Sequence, residues 1–320
     1  MKGKVHQKIN GLHERNKHNG EYDFELLIKL LPELSEYVFK NKWNKLSIDF
    51  FNPEAVKLLN KALLKQYYNI ETWDIPESYL TPPIPGRANY IHHIADLLRD
   101  TNSKTNVKPP SGEHINMLDI GMGANCIYPI IGRMEYGWSF VGSETDIIAI
   151  ENAQKIISSH KKLQSRIEIR QQENNNSIFK GIIKTDELFD VSICNPPFHA
   201  TYMEAEKANK RKTLNLKSDV KPHKNFGGQS NELWYKGGEK QFITNMINES
   251  SIFSNNCLWF TTLVSKESNL DFFKKVLKSM EADHFDIIEM NHANKKTRIL
   301  YWSFLKENQR EKWMKIKTKL

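Results

Sequence analysis

The sequence predicts an α/β fold: a mostly parallel seven-stranded sheet with an antiparallel last strand, flanked by helices and preceded by an N-terminal helical module. Two patterns carry this expectation. From residue 115 onward, short apolar runs alternate with helical stretches, as in parallel strands joined by crossover helices. Between residues 22 and 68 the apolar positions instead recur at helical spacing. In a chain of 320 residues this divides into a basic arm and helical module over 1–84 and a sheet domain over 85–320.

Residues 1–20 are polar and rich in Lys, His, Asn and Gly, and read as a mobile basic arm. Asn52-Pro53-Glu54 marks a helix start, with Asn as cap and Pro in the first turn. Val56, Leu58, Leu59, Ala62, Leu63 and Leu64 supply that helix's buried face. The proline-rich segment 81–86 is a stiff connector. Arg87 opens a further helix, with Tyr90, Ile91, Ile94, Leu97 and Leu98 on one side, and 100–113 reads as a surface loop. Strands are expected at 115–120, 138–142, 166–170, 189–194, 257–264, 285–290 and 298–305. Helices are expected after the glycines near 121 and at 146–159, 238–253 and 270–280. The last two strands have no room for a helix between them and should be antiparallel neighbours. Residues 199–236 form a long polar insertion.

Composition narrows the class. Hydrophobic residues at 39% supply a sizeable core, and charged residues at 26% are ordinary for a water-soluble chain. The net charge of +8 favours an anionic partner, of which nucleic acid is the commonest. Cys126, Cys194 and Cys257 show no CxxC spacing, so neither zinc nor a disulfide framework is suggested and no metal is expected. No apolar run approaches the roughly 20 residues of a membrane helix, and the N-terminus lacks a signal-peptide core. A cytoplasmic monomer with no membrane contact is the expectation.

Asn195-Pro196-Pro197-Phe198 ends the apolar run 189–194. The Asn195 side-chain oxygen and the Pro196 carbonyl can both accept from one exocyclic amine. The prolines fix the backbone, and Phe198 offers a ring for a base to stack on. An amine gripped so, and aimed at a methyl donor, can be methylated. The plainer reading is a strand ending in a proline turn.

Upstream, Asp119-Ile120-Gly121-Met122-Gly123-Ala124-Asn125-Cys126 runs from a strand through a glycine turn into a helix. Glycine admits a ligand close to the backbone, and the helix start offers free N–H groups. A dinucleotide fingerprint would need Gly or Ala where Cys126 stands. S-adenosylmethionine fits better, making this a Rossmann-like methyltransferase fold. Glu144 lies 23 positions after Gly121, at the end of the next strand, where a carboxylate can hold both ribose hydroxyls. It could instead be an acid stabilising the helix start near Asp146. In an open parallel sheet the loop, the acid and the Asn-Pro-Pro-Phe run all fall on one carboxyl edge.

On these residues the chain resembles the bacterial large-subunit ribosomal RNA adenine-N6 methyltransferases, which modify adenine 1618 of 23S rRNA. That family is related to the human U6 small nuclear RNA methyltransferase. The shared stretches begin at Gly11, Asn60, Trp73, Pro85, Gly121, Gly142, Asn195 and Asn225 and span nearly the whole chain. The resemblance implies 23S ribosomal RNA, or a large-subunit assembly intermediate, as partner. It further implies that Arg87 faces the cofactor carboxylate, that Gly121 and Asn125 line the cofactor loop with Asp119 and Gly123, and that Glu144 holds the ribose. Either Asn174 or Asn175, with Asn175 preferred, would sit near the cofactor's adenine.

The insertion carries Lys207, Lys210, Arg211, Lys212, Lys217, Lys221 and Lys224 against Glu204, Glu206 and Asp219, directly after the amine clamp. It reads as an RNA-clamping loop, or more plainly as a solvated lysine-rich loop. Lys2, Lys4, Lys8, Arg15 and Lys17, and at the other end Lys312, Lys315, Lys317 and Lys319 around Trp313, would extend a phosphate-binding surface. His199 reads as a loop contact or phosphate ligand rather than a base. Methylation of a protein glutamine amide is the competing activity, since the same clamp can grip that amide; another, small nuclear-type RNA is a further alternative substrate. A non-catalytic RNA-binding module is the third reading.

Overall fold

The computed structural model describes residues 11–77, 79–101, 108–200, 203, 234–292 and 295–317. Seven strands form the main sheet: β3 (Asn116–Ile120), β4 (Ser139–Glu144), β5 (Ile167–Gln171), β6 (Phe189–Cys194), β7 (Cys257–Val264), β8 (His284–His292) and β9 (Lys295–Ser303). Their order is β5-β4-β3-β6-β7-β9-β8, with β9 antiparallel to both neighbours and the other pairings parallel. β6 and β7 are buried along their whole length, with Asp190, Ser192, Thr261 and Thr262 as polar residues among their apolar ones. The chain builds outward from β3 through β4 to β5, then returns to place β6 on β3's other side. Such a reversal opens a crevice at the carboxyl ends of β3 and β6.

Helices α4 (Ile127–Tyr136), α5 (Ile147–Ser158), α6 (Lys161–Gln164), α7 (Gly238–Ser250) and α8 (Leu270–Ser279) complete the alternation, with α9 (Glu307–Lys317) after the last strand. The N-terminal part holds α1 (Phe24–Leu30), α2 (Pro53–Tyr68) and α3 (Ile84–Thr101). Asn52 caps α2, its side chain accepting from the N–H groups of Glu54 and Ala55 at 3.0 and 3.2 Å. Apolar residues of α1, α2 and α3 belong to one continuous cluster with Ile130, Trp138 and Val191 of the sheet domain.

Four features depart from the sequence expectation. The helical spacing over 22–68 is interrupted by a 3₁₀ turn (Pro32–Tyr37) and an antiparallel hairpin, β1 (Val38–Lys40) with β2 (Leu46–Ile48). Pro32 cannot continue the α1 hydrogen-bond ladder. Asn41 then accepts from the N–H groups of Trp43 and Lys45, and Asn44 turns left-handed at φ 58°, which reverses the chain.

Helix α3 starts at Ile84, ahead of Arg87, because Pro85 is tolerated in a first turn that has no partner for its N–H.

Residues 11–20 are no mobile arm. Asn16 and His18 are buried, and Arg15 donates to Asp96, Tyr136 and the His92 carbonyl. Lys17 pairs with Glu135 at 2.9 Å. Both cations of this segment therefore serve packing. Lys2, Lys4 and Lys8 lie outside the described residues.

The C-terminal run is likewise structural at two of its positions. Trp313 Nε1 donates to Asp190 Oδ1 at 2.7 Å and Lys317 Nζ lies 3.1 Å from Asp190 Oδ2. Asp190 stands near the start of β6, the edge opposite Asn195. A cavity of about 690 Å³ opens at that edge, lined by Asn116, Arg170 and Lys317 among others. Lys319 lies outside the described residues.

Asp190→Ala should cost about 3 kcal/mol or more, because it leaves Lys317, Trp313 and the Asn116 N–H without their shared acceptor. Urea denaturation of the variant, with an unchanged midpoint as the contrary result, checks this.

Candidate active site

A cavity of about 880 Å³ lies at the carboxyl edge of β3, β4 and β6. The turn after β3 forms one wall. Gly121 and Gly123 both stand at φ 68°, a conformation glycine adopts without strain. A Cβ on Gly121 would meet no atom within 4 Å, so this turn faces open space rather than packed chain. The turn is fixed from behind. Met122 N–H donates to the Ser143 carbonyl at 3.0 Å, and Gly123 N–H donates to Glu144 Oε2 at 2.9 Å. Met122 packs on Gly142, where a Cβ would fall 2.4 Å from its sulfur.

Glu144 therefore does two things. Its Oε1 accepts from the Thr145 and Asp146 N–H groups at 2.7 and 3.2 Å, while Oε2 holds the glycine turn. Capping of α5 itself falls to Asp146, which accepts from Ile148 N–H. Glu144 lines the cavity, and with three N–H groups on its four acceptor sites it keeps one, on Oε2, for a ligand hydroxyl.

Arg87, Asn125 and Asn175 also line the cavity. Arg87 donates to the Tyr128 hydroxyl at 2.7 Å, which aims the guanidinium from α3. Asn125 Oδ1 accepts from Ile127 N–H, and its carbonyl accepts from Trp73 Nε1 at 2.9 Å. Asn174 instead supports the turn, its side chain accepting from Asn176 N–H, and Asn175 is the one presented to the cavity. Glu249 gathers the N–H groups of Ile178, Phe179 and Lys180 and so pins this wall.

Asp119 sits beneath the turn, fully buried, and is not among the residues lining the cavity. Neither carboxylate oxygen has a partner among the described residues. Burial raises its pKa to about 8; Arg87 pulls the other way and Glu144 adds to the rise.

At the other end the cavity is lined by Asn195, Pro197 and Phe198, with Pro196 buried behind them. Asn195 Oδ1 is buried and has no hydrogen-bond partner among the described residues. The clamp's strand is set by a buried chain of contacts. Tyr90 OH and Thr261 Oγ1 lie 2.7 Å apart, Thr261 Oγ1 donates to the Ser192 carbonyl, and Cys194 N–H donates to Tyr90 OH at 3.4 Å.

Trp234, Tyr235, Phe242 and Asn245 close the far wall and were not anticipated. They arrive from beyond the insertion, where Trp234 bridges His199 and Tyr235 N–H donates to the His199 carbonyl. The run of Trp and Tyr before Gly237-Gly238 was the available signal. Lys207, Lys210, Arg211, Lys212 and Lys217 lie outside the described residues. Among the described residues no group of three or more His, Cys, Asp or Glu could hold a metal ion, and no helix is long and apolar enough to cross a membrane.

A glycine turn clasped by the acid of the next strand, beside a proline-fixed amide at the sheet's reversal point, defines a Rossmann-like S-adenosylmethionine-dependent methyltransferase. The open face of Gly121, the remaining acceptor site of Glu144 and the Arg87 cation suit that cofactor's backbone, a ribose hydroxyl and its carboxylate.

Comparisons agree. The model of an RNA methyltransferase family matches residues 6–306, and the chain belongs to that family. It is 48% identical over 330 residues to ribosomal RNA large subunit methyltransferase F of Photobacterium profundum, covering 98% of this chain and 97% of that one. To the protein of the same name in Bacteroides thetaiotaomicron it is 53% identical over 300 residues, covering 92% and 98%. The human METTL16 catalytic domain bound to MAT2A 3′UTR hairpin 1 superposes with a TM-score of 0.77 at 27% identity, covering 92% and 96%. The N-terminal domain of human METTL16 in complex with SAH gives a TM-score of 0.71 at 25% identity, covering 92% and 99%. The protein is an RNA methyltransferase that uses S-adenosylmethionine.

An unfolded chain ionises Asp119 near 3.8, whereas the folded protein holds its proton until about 8. Across that window rising pH favours the unfolded state, so the contribution to stability falls. The melting temperature of Asp119→Asn should therefore gain on wild type between pH 5 and pH 8. A gap independent of pH would mean that Asp119 is already ionised in the fold.

Proposed function

We propose that the protein methylates N6 of adenine 1618 in 23S ribosomal RNA, with the target base turned out of its helix and its amine held by Asn195-Pro196-Pro197-Phe198. The observation that carries this reading is the buried, unpartnered Oδ1 of Asn195, a residue that lines the cavity. A buried acceptor left empty is costly, and an amine hydrogen satisfies it. The identities near 50% to ribosomal RNA large subunit methyltransferases support the choice of RNA and subunit.

When bound, S-adenosylmethionine supplies an electrophilic methyl group. The chain's own residues do the rest. The adenine amine is a weak nucleophile because its lone pair is delocalised into the ring. Asn195 Oδ1 and the Pro196 carbonyl, each taking one amine hydrogen, favour a more tetrahedral nitrogen and point its lone pair into the cavity. Nitrogen gains positive charge as the bond forms, so both acceptors bind more strongly at the transition state. Phe198 stacks on the base and fixes its plane. Arg87, Gly121, Gly123, Asn125 and Glu144 orient the donor, Asn175 sits near its adenine, and Asp119 supports the turn from beneath. No strong base is required, since the methylated amine sheds its proton readily.

A base inside a duplex cannot enter a cavity of this depth, so an unpaired or flipped adenine is the substrate. The N-terminal module offers an RNA-facing element in the β1–β2 hairpin. Trp43 is 68% exposed, Lys42 Nζ lies 4.3 Å from its ring centre, and Phe39, Phe50 and Phe51 are about half exposed nearby in sequence. Exposed rings interleaved with lysines suit stacking on unpaired bases with phosphates alongside. The lysine-rich insertion would supply further phosphate contacts, on naked RNA or an assembly intermediate.

Asn195→Ala should cut methyl transfer by at least about 100-fold while leaving S-adenosylhomocysteine binding intact by calorimetry. In cells lacking the gene, adenine 1618 should lose its N6-methyl group; wild type should restore it and the Asn195→Ala allele should not. A full mark with the Ala allele would rule the clamp out. Neutralising Lys210, Arg211 and Lys212 together should lower the slope of log affinity against log salt by about 2. An unchanged slope would remove the insertion from the RNA contact.

A further inference from the structure

The cavity holds a second unmet polar atom, of the opposite sense to the first. Trp234 lines the same space as Asn195 and Phe198. Its indole Nε1 is buried and without a hydrogen-bond partner among the described residues. An indole N–H can only donate, and buried tryptophans ordinarily find an acceptor. Asn195 Oδ1 can only accept. Two residues of one cavity lining thus carry an unfilled donor and an unfilled acceptor.

Trp234 is held in place by backbone rather than by chance. It bridges His199, the residue immediately after Phe198, and Tyr235 N–H donates to the His199 carbonyl at 3.0 Å. The next turn is tight: Gly238 N–H donates to the Tyr235 carbonyl at 2.6 Å, and a Cβ on Gly238 would approach the Ala200 backbone to 3.2 Å. Buried Glu239 then anchors the start of α7 to the Ser265 N–H beyond β7. The two chain ends that bracket the insertion are therefore paired, and each contributes one of the two unmet atoms.

We propose, resting on the adenine reading above, that Trp234 is a specificity-determining residue: its Nε1–H donates to a ring nitrogen flanking the amine that Asn195 grips. Adenine presents an amine donor between two ring acceptors, N1 and N7, and so calls for an acceptor and a donor in the same cavity lining. Guanine in the same pose would set its O6 against Asn195 Oδ1, two acceptors facing each other. Uracil offers no exocyclic amine. The amine grip of Asn195 thus excludes guanine and uracil, and the indole N–H adds a bond only where a ring acceptor flanks that amine.

Single-turnover methylation of RNA carrying adenosine, 1-deazaadenosine or 7-deazaadenosine at the target position tests this, with wild type and Trp234→Phe. Loss of one neutral hydrogen bond is expected to slow Trp234→Phe roughly tenfold on adenosine RNA. On the deaza RNA that lacks the acceptor, the variant should match wild type, because the bond is already gone. Which deaza RNA behaves so tells N1 from N7. The KM for S-adenosylmethionine should not move, as it would if Trp234 merely shaped the cavity. An equal penalty on all three RNAs overturns the assignment. So does a wild-type rate indifferent to both deaza substitutions, a result that needs no variant to fold. Failure of wild type on adenosine RNA itself would instead sink the adenine reading.

Discussion

The Glu144 carboxylate is the constraint on which the site depends. One oxygen holds the Gly123 N–H and the other holds the first two N–H groups after β4. Two loops that would otherwise diverge from neighbouring strands are thereby tied to a single planar group. β3 is hydrogen-bonded to β4 on one side and to β6 on the other. Fixing the turn after β3 therefore also fixes its separation from Asn195 at the end of β6. Met122 on Gly142 fills the space beneath and leaves the turn no room to sink.

Helix α3 is the second support. Arg87 and Tyr90 stand three residues apart and so share a face. Arg87 reaches Tyr128 in the cavity wall, and Tyr90 reaches Thr261 and Cys194 behind the clamp. The helix is braced in turn by residues 11–20. His13 Nε2 lies 2.7 Å from Asp96, and His92 shares a hydrogen bond with Tyr136 at 2.7 Å. Burial, followed by the neighbouring His13, holds His92 down to about 3, so His92 stays neutral around pH 7. Residues 11–20 thus brace α3, and none of them lines the cavity.

Much of this was legible in the sequence because its cause is local. β6 and β7 carry their apolar runs within a few residues, and both have the expected bounds. Gly121, Glu144 and Asn195 stand at the ends of β3, β4 and β6, and parallel strands share an edge. What escaped notice depends on distant partners. The polar stretch 11–20 looked mobile because its acceptors, Asp96 and Tyr136, stand 81 and 121 positions away. The lysines around Trp313 looked like a phosphate surface because nothing nearby in sequence announces Asp190. The hairpin of residues 38–48 hid inside a helical pattern because Asn41 and Asn44, not apolar spacing, make the reversal. Trp234 could be placed beside Asn195 only after the ends of the insertion were seen to pair.

The seat of α9 on Asp190 has a temporal consequence. β6 carries the clamp, yet its first turn of backbone is secured by Trp313, 123 positions later, while Lys317 bonds to the His114 carbonyl 203 positions back. β9 also joins β8 to β7 and so completes the sheet. Contacts of such separation form late, after loop closure has been overcome. During synthesis the clamp's strand therefore emerges long before the residues that secure it. A nascent chain stalled before residue 300 would carry the whole cavity-lining sequence before α9, which secures the start of β6, has been made.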